Sequence, residues 1–370
     1  MADHGGDLAT PDGERAGRLP RGLVVLLGMA SAVVVVAGVR AAAWLIAPTF
    51  LALVIVIVTN PVPAWLIRKG WPRWLATTVL VVLVYAVLIT FALVVFVSVA
   101  RLAEVLPHYA QRADALGAEI VQGFAKFGIG PEQIKTAASK VNYTELAGFV
   151  GDLLSGVASV SSNLVFLLAL LLFLGIETSG AGRRLGIVSD RHPRMAEALV
   201  GFTRGTRSYL GVSTVFGLIV AVLDTIALAL LGVPLPVLWG LLAFVTNYIP
   251  NVGFVIGLVP PVLLAMLQGG WQLAVVVGVV YTVLNFVVQS LVQPRFVGDA
   301  VGLSVTVTLL SLVFWTWVVG PLGAVLAIPL TLLVKALLVD SDPRAAWADA
   351  FLVSDRVSTE EINRRWRRGG

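Results

Sequence analysis

The chain has 370 residues, of which 58% are hydrophobic and only 13% charged, and its mean hydropathy is +0.94. These values exclude a water-soluble globular domain and place the chain in a bilayer as an all-α, polytopic integral membrane protein. Cysteine is absent, which removes disulfides and thiol chemistry, and the net charge of +5 comes from basic residues flanking apolar runs, so it reports membrane topology and not nucleic-acid binding.

Residues 1–22 are rich in Gly, Asp and Arg, cannot build a core, and are expected to form a disordered cytoplasmic tail. Leu23 to Val39 follows three arginines and could be read as a signal peptide, but its long polar leader and the apolar run that follows at once favour a first transmembrane helix. Ala41 to Val58 is the second, separated by little more than Arg40, which predicts a tight hairpin with a kink at Pro48. Arg68, Lys69 and Arg73 form a basic loop before a third span, Leu75 to Val99, so residues 23–100 hold three helices with the N-terminus and that loop in the cytoplasm. Several tryptophans stand beside charges (Trp71, Trp74, Trp347, Trp366), as in the aromatic belts of membrane interfaces.

Residues 101–152 carry both signs of charge, and Leu102, Leu106, Tyr109, Leu116, Ile120 and Phe124 recur at helical spacing, which predicts an extracytoplasmic amphipathic insert lying on the membrane or against a neighbouring subunit. A fourth span lies within residues 153–177, followed by a basic cytoplasmic loop over 178–206 that includes Arg183, Arg184, Arg191 and Arg194. The fifth span, about Tyr209 to Leu231, opens a core over residues 207–340, and a basic cytoplasmic tail covers 341–370.

Within that core two apolar segments are interrupted by proline and glycine. One reads Asn247-Tyr248-Ile249-Pro250-Asn251-Val252-Gly253, the other Val319-Gly320-Pro321-Leu322-Gly323, and Trp271 to Gln293 lies between them. Interrupted helices persist in a bilayer only where protein or water satisfies the freed backbone, which is how transporters build a site. With both termini inside, each segment either crosses once, giving about eight spans, or turns back as a re-entrant hairpin, giving six. The first has roughly 11 residues before its break and 17 after, against about 20 needed to span, so length alone does not decide, and eight is the preferred count with the re-entrant form kept open.

Several polar side chains could carry transport. Asp224 is the one carboxylate inside the fifth span, and it needs a partner, water or a proton there, so it is a proton or cation candidate or else an acid reaching water near the helix end. Tyr281, Asn285, Gln289 and Gln293 recur every four residues on one face, and Ser304, Thr308, Ser311 and Trp315 form a second stripe. Both stripes either line a path for a polar solute or hold helices together. Asn247 and Asn251 flank Pro250 and could bind solute or cap half-helices; Gly253, Gly320 and Pro321 shape the backbone. Arg295 and Asp299 read as a solvated loop pair more readily than as a gate. His4, His108 and His192 show no metal spacing, and no metal or cofactor is expected.

The order Leu231-Gly232-Val233-Pro234, then the Asn247 to Gly253 run, then Gln293-Pro294-Arg295-Phe296-Val297-Gly298 with Val301-Gly302-Leu303, then Gly320-Pro321-Leu322-Gly323-Ala324 and Ile328-Pro329-Leu330 resembles the autoinducer-2 exporter family from about Leu23 to Leu338. Phe254 follows Gly253 where that family's pattern has proline. The resemblance implies a homo-oligomeric all-helical transporter of the bacterial cytoplasmic membrane, which exports a small polar solute such as a quorum-sensing signal or exchanges sodium or lithium for protons. No phosphate-binding loop, catalytic triad or paired intramembrane acids are present, so neither ATP hydrolysis by that route nor an enzyme is expected. A membrane scaffold without transport is the reading from another class.

Overall fold

The computed structural model describes residues 20–125, 164–250, 252–293 and 303–352, and these are almost wholly helical. α1 (Arg21–Ala41) and α2 (Ala43–Thr59) are separated by Ala42 alone. Helical bonds run into Ala42 from Gly38 and out of it to Ile46 (3.0 and 2.9 Å), so the single off-helix residue, at φ −96° and ψ 13°, bends the chain without reversing it. The hairpin expected at Arg40 is therefore a bend, because reversal needs a loop of a few residues. Arg40 instead stacks on the Trp317 ring, 4.6 Å from its centroid.

Pro61 starts α3 (Pro61–Arg68) and deprives the Ile57 carbonyl of its helical donor. Arg207 fills that vacancy, its Nε donating to the Ile57 oxygen at 3.1 Å. α4 (Arg73–Ala125) then runs for 53 residues through the boundary expected near Arg101. Charge enters there, but helix-forming Ala, Leu and Glu continue, so the composition changes without ending the helix. The rest of the insert, residues 126–152, and the start of the expected fourth span, 153–163, lie outside the described residues.

α5 (Leu164–Glu177) and α6 (Ala181–Arg191) are bent by 64°, and the Tyr85 hydroxyl ties α4 to the Leu168 carbonyl. α7 (Pro193–Leu230) is the 38-residue helix on which the core is assembled. Among the described residues four helical stretches are individually long and apolar enough to cross a membrane, with the α5–α6 pair as a fifth.

The first interrupted segment is α8 (Pro236–Thr246) followed by α9 (Gly253–Asn285). α9 comprises two helical arms that meet at a break at Gly270. Gly270, at φ 77° and ψ −172°, lets it fold back, so that Phe254 and Tyr281 lie 6.4 Å apart and Val262 faces Gly278. The arm over 253–269 also runs antiparallel to α8: Gly257 lies beside Ala243 and Thr246, while Gln268 Nε2 donates to the Gly232 carbonyl at 2.8 Å. α8 and this arm thus form a hairpin whose root is at the C-terminal end of α7. A π-helical turn, Phe286–Val292, prolongs the second arm.

The second interrupted segment is α10 (Val305–Val319), α11 (Pro321–Val325) and α12 (Ala327–Lys335). Gly320, at φ 86°, reverses the chain, and Trp315 Nε1 donates to Thr331 Oγ1 across the hairpin at 3.0 Å. Its return leg packs toward the N-terminal half of α7, with Leu330, Leu332 and Ala336 in one cluster with Ala198, Phe202 and Leu210. A π turn, Ala336–Asp340, and α13 (Ala346–Leu352) complete the described chain, and Leu352 accepts from Ser304 N at 2.9 Å, closing the root. Of the two readings of the interrupted segments, the backbone follows the one in which both turn back.

Candidate functional site

The two hairpins enter from opposite ends of α7 and meet. At the first tip, Ile249 packs against Leu312, Ala324 and Ala327 of the second hairpin. α7 holds this first tip through its backbone: Tyr209 OH donates to the Tyr248 carbonyl (2.9 Å), Asn247 Nδ2 donates to the Ser213 carbonyl (2.8 Å), and Thr214 Oγ1 bonds Tyr248 OH (2.7 Å). The Tyr248 carbonyl is one of those freed by the break, so a buried hydroxyl supplies what the helix no longer does.

Close approach makes the hairpin possible. A methyl group on Gly240 would come within 1.9 Å of Thr225 Oγ1, and one on Gly253 within 1.8 Å of the Thr246 carbonyl. Only glycine fits at either place.

Asp224 of α7 is fully buried, and Asn285 of α9 is 4% exposed. Asn285 Nδ2 donates to the Asp224 carboxylate at 3.2 and 3.5 Å and to the Tyr281 carbonyl at 2.9 Å, while Gln289 Nε2 donates to Asn285 Oδ1 at 2.9 Å. The network therefore runs Gln289, Asn285, Asp224, across two helices far apart in sequence. The Tyr281 hydroxyl faces the carboxylate but completes no hydrogen bond, and it is 2% exposed. On its other side lie Gly257 and Thr246: a methyl on Gly257 would sit 3.3 Å from Tyr281 OH and 3.1 Å from Thr246 Oγ1.

Among the described residues no basic side chain forms an ion pair with Asp224. An isolated carboxylate at the centre of a membrane helix costs about 2.5–3.5 kcal/mol, and one amide contact compensates only part of that. The carboxylate thus calls for a proton or a cation whenever the site is sealed. No group of three His, Cys, Asp or Glu side chains occurs among the described residues.

The other candidates divide. Gln293 is half-buried where the described part of α9's extension ends. Asn247 is engaged with the α7 backbone, and half-buried Pro250 turns the first tip. The second stripe is spent on its own hairpin: Ser304 Oγ caps α10 by accepting from Val307 N, Thr308 bonds the Ser304 carbonyl, and Trp315 bonds Thr331, while Ser311 is buried. Gly320 and Pro321 form the second turn. Asn251, Arg295 and Asp299 lie outside the described residues. A groove of about 540 Å³, lined by Leu258, Val262, Val275, Gly278 and Thr282 among others, opens between the two arms of α9 and does not include the Asp224 network.

Thr246 and Gly257 were not singled out from the sequence. The available signal was the Gly253-x-x-x-Gly257 spacing, the small-residue pattern by which membrane helices approach closely. The π turn beside Asn285 is a second feature that hydrophobic periodicity does not announce, and such turns cluster at functional sites.

Comparison with known proteins gives a consistent likeness. A family model described as AI-2E family transporter matches residues 29–341. The AI-2 transport protein TqsA of Escherichia coli K12 is 30% identical over 316 residues, covering 85% of this chain and 90% of TqsA. The protein YhhT of the same organism, provisionally named a transport protein, is 29% identical with the same coverage. YrrI of Bacillus subtilis, named in the same way, is 26% identical over 80% of this chain and 88% of its own length.

Proposed function

The chain belongs to the AI-2E transporter family, and on that premise we propose that it exports a small polar solute across the bacterial cytoplasmic membrane, as a homo-oligomer with both termini in the cytoplasm. The solute is of the class represented by a quorum-sensing signal; the name of the relative TqsA specifies AI-2 transport for that protein. The observation that carries this reading is the network from half-buried Gln289 through buried Asn285 to buried Asp224, beside two hairpins that meet where Ile249 packs against Leu312, Ala324 and Ala327. Amide and hydroxyl groups replace the hydration of a polar solute, and interrupted helices supply backbone groups to transporter sites. No phosphate-binding loop is present, so transport is either facilitative or driven by a gradient and not by ATP hydrolysis at such a loop.

The test is efflux from proteoliposomes loaded with labelled small polyols and signal molecules. Asn285→Leu and Gln289→Leu are expected to slow efflux at least tenfold, the consequence of losing about 1.4 kcal/mol of solute stabilisation. Unchanged efflux in both variants would remove the network from the path.

A second reading, sodium or lithium exchange for protons, is favoured by one observation, the buried Asp224 without a basic partner. Asp224→Asn separates the two. Loss of cation-driven proton movement supports antiport, whereas intact export of a neutral solute in that variant excludes Asp224 from export. Purified protein that moved neither ions nor solutes would leave the scaffold reading.

A further inference from the structure

The turn between α3 and α4 is short, closed by backbone hydrogen bonds at both ends and more heavily functionalised than a connection requires. α3 ends in a Schellman arrangement: Trp71 N donates to the Leu66 carbonyl (3.2 Å), Gly70 N donates to the Ile67 carbonyl (3.0 Å), and Gly70 takes φ 91°. Leu75 N and Ala76 N, at 3.1 Å each, then donate to the Pro72 carbonyl and start α4. Backbone bonds thus close the end of α3 and start α4 on either side of Pro72.

Three cations, Arg68, Lys69 and Arg73, and three tryptophans occupy this rigid turn and its flanks. The tryptophans are exposed, Trp65 by 48%, Trp71 by 42% and Trp74 by 70%, and the Lys69 ammonium is held 3.9 Å above the Trp65 ring. No acidic residue lies between 60 and 75, and among the described residues none of the three cations forms an ion pair. The turn joins two apolar helical stretches long enough to cross the membrane, Ala43–Arg68 and Arg73–Leu102, so it stands at a bilayer surface.

We propose that this turn is a binding site for an anionic phospholipid, the headgroup phosphate held by Arg68, Lys69 and Arg73 and the glycerol and upper acyl region resting on Trp65, Trp71 and Trp74. The topology rule accounts for cations near the ends of spans but not for their arrangement on a fixed turn with an indole under the lysine. A free phosphate would engage the cations alone; a lipid engages the cations and also the rings that stand at the membrane interface. Each basic side chain near an anionic membrane surface strengthens attachment roughly fivefold. The site is independent of the transported solute.

The experiment is native mass spectrometry of the purified full chain titrated with phosphatidylglycerol or phosphatidylcholine. The wild type is expected to retain phosphatidylglycerol preferentially, and the variant R68Q/K69Q/R73Q to need about a hundredfold more of it for half-retention. A control, R183Q/R191Q on α6, should leave retention unchanged. Trp65→Leu, which keeps all three charges, should weaken phosphatidylglycerol retention while its helical circular dichroism stays that of the wild type. Equal retention in the triple variant overturns the proposal. So does an equal loss in the α6 control, which would mean a diffuse field, or full displacement of the lipid by inorganic phosphate at matched concentration, which would mean a free-anion site.

Discussion

Asp224 is where one atom group decides the most. The sequence marked it as the carboxylate within its span, and marked Asn285 and Gln289 by their spacing of four, but nothing in the sequence joined the two sets. The join is made by α7 packing on the second arm of α9, a contact between residues 61 positions apart. Tyr281 was visible as part of the same stripe, yet its unpaired hydroxyl emerges only when Gly257 and Thr246 close over it. Gly257→Ala should therefore obstruct the region between the two hydroxyls with one methyl group. We expect a loss of efflux together with a destabilisation of about 1–3 kcal/mol, read from transport and thermal melting of the same preparation. A variant that melts lower but transports normally would place Gly257 in packing alone.

At the scale of elements, proline and glycine located both interruptions correctly and left open what the chain does after them. Turning back depends on contacts that a hydropathy profile does not contain, chiefly Gly240 lying against Thr225 and Gly253 against the Thr246 carbonyl. Replacing Gly240 with Val should cost about 3 kcal/mol or more, seen as a lower melting temperature and loss of the folded species in size-exclusion chromatography, because backbone lines the contact and cannot yield. The bend between α1 and α2 is hidden from the sequence for a related reason: Arg40 predicts a turn at the membrane surface, but its guanidinium stacks on the Trp317 ring, a contact far away in the chain. A smaller repair, Arg207 to the carbonyl that Pro61 orphans, yields its own expectation. Arg207→Ala should destabilise the protein by about 1–3 kcal/mol in chemical denaturation, and Pro61→Ala should reduce that penalty by restoring an internal donor.

For the whole molecule, the membrane class was legible from composition, and the ordered Pro and Gly motifs pointed to the family that comparison then matched over residues 29–341. Which residues bring the two hairpins together was not legible, since Ile249 is one apolar residue among many until Ala324 and Ala327 are placed beside it. The chain has no cysteine, so introduced pairs report without background. Ile249→Cys with Ala324→Cys should cross-link on mild oxidation, and efflux should stop in the oxidised protein and return on reduction. Cross-linking without any effect on efflux would mean that the tips do not separate during transport.

The roots of the two hairpins at opposite ends of α7 have a consequence for leakage. A canal lock holds back water because its two gates hang from different banks and neither needs to know the state of the other. On the proposed reading each hairpin rests its end region on the other, so withdrawing one alone leaves the other in place. A continuous pore would require both to be displaced together. Cells expressing variants with both tips shortened should accordingly lose ion gradients, while those with either tip shortened alone should keep them.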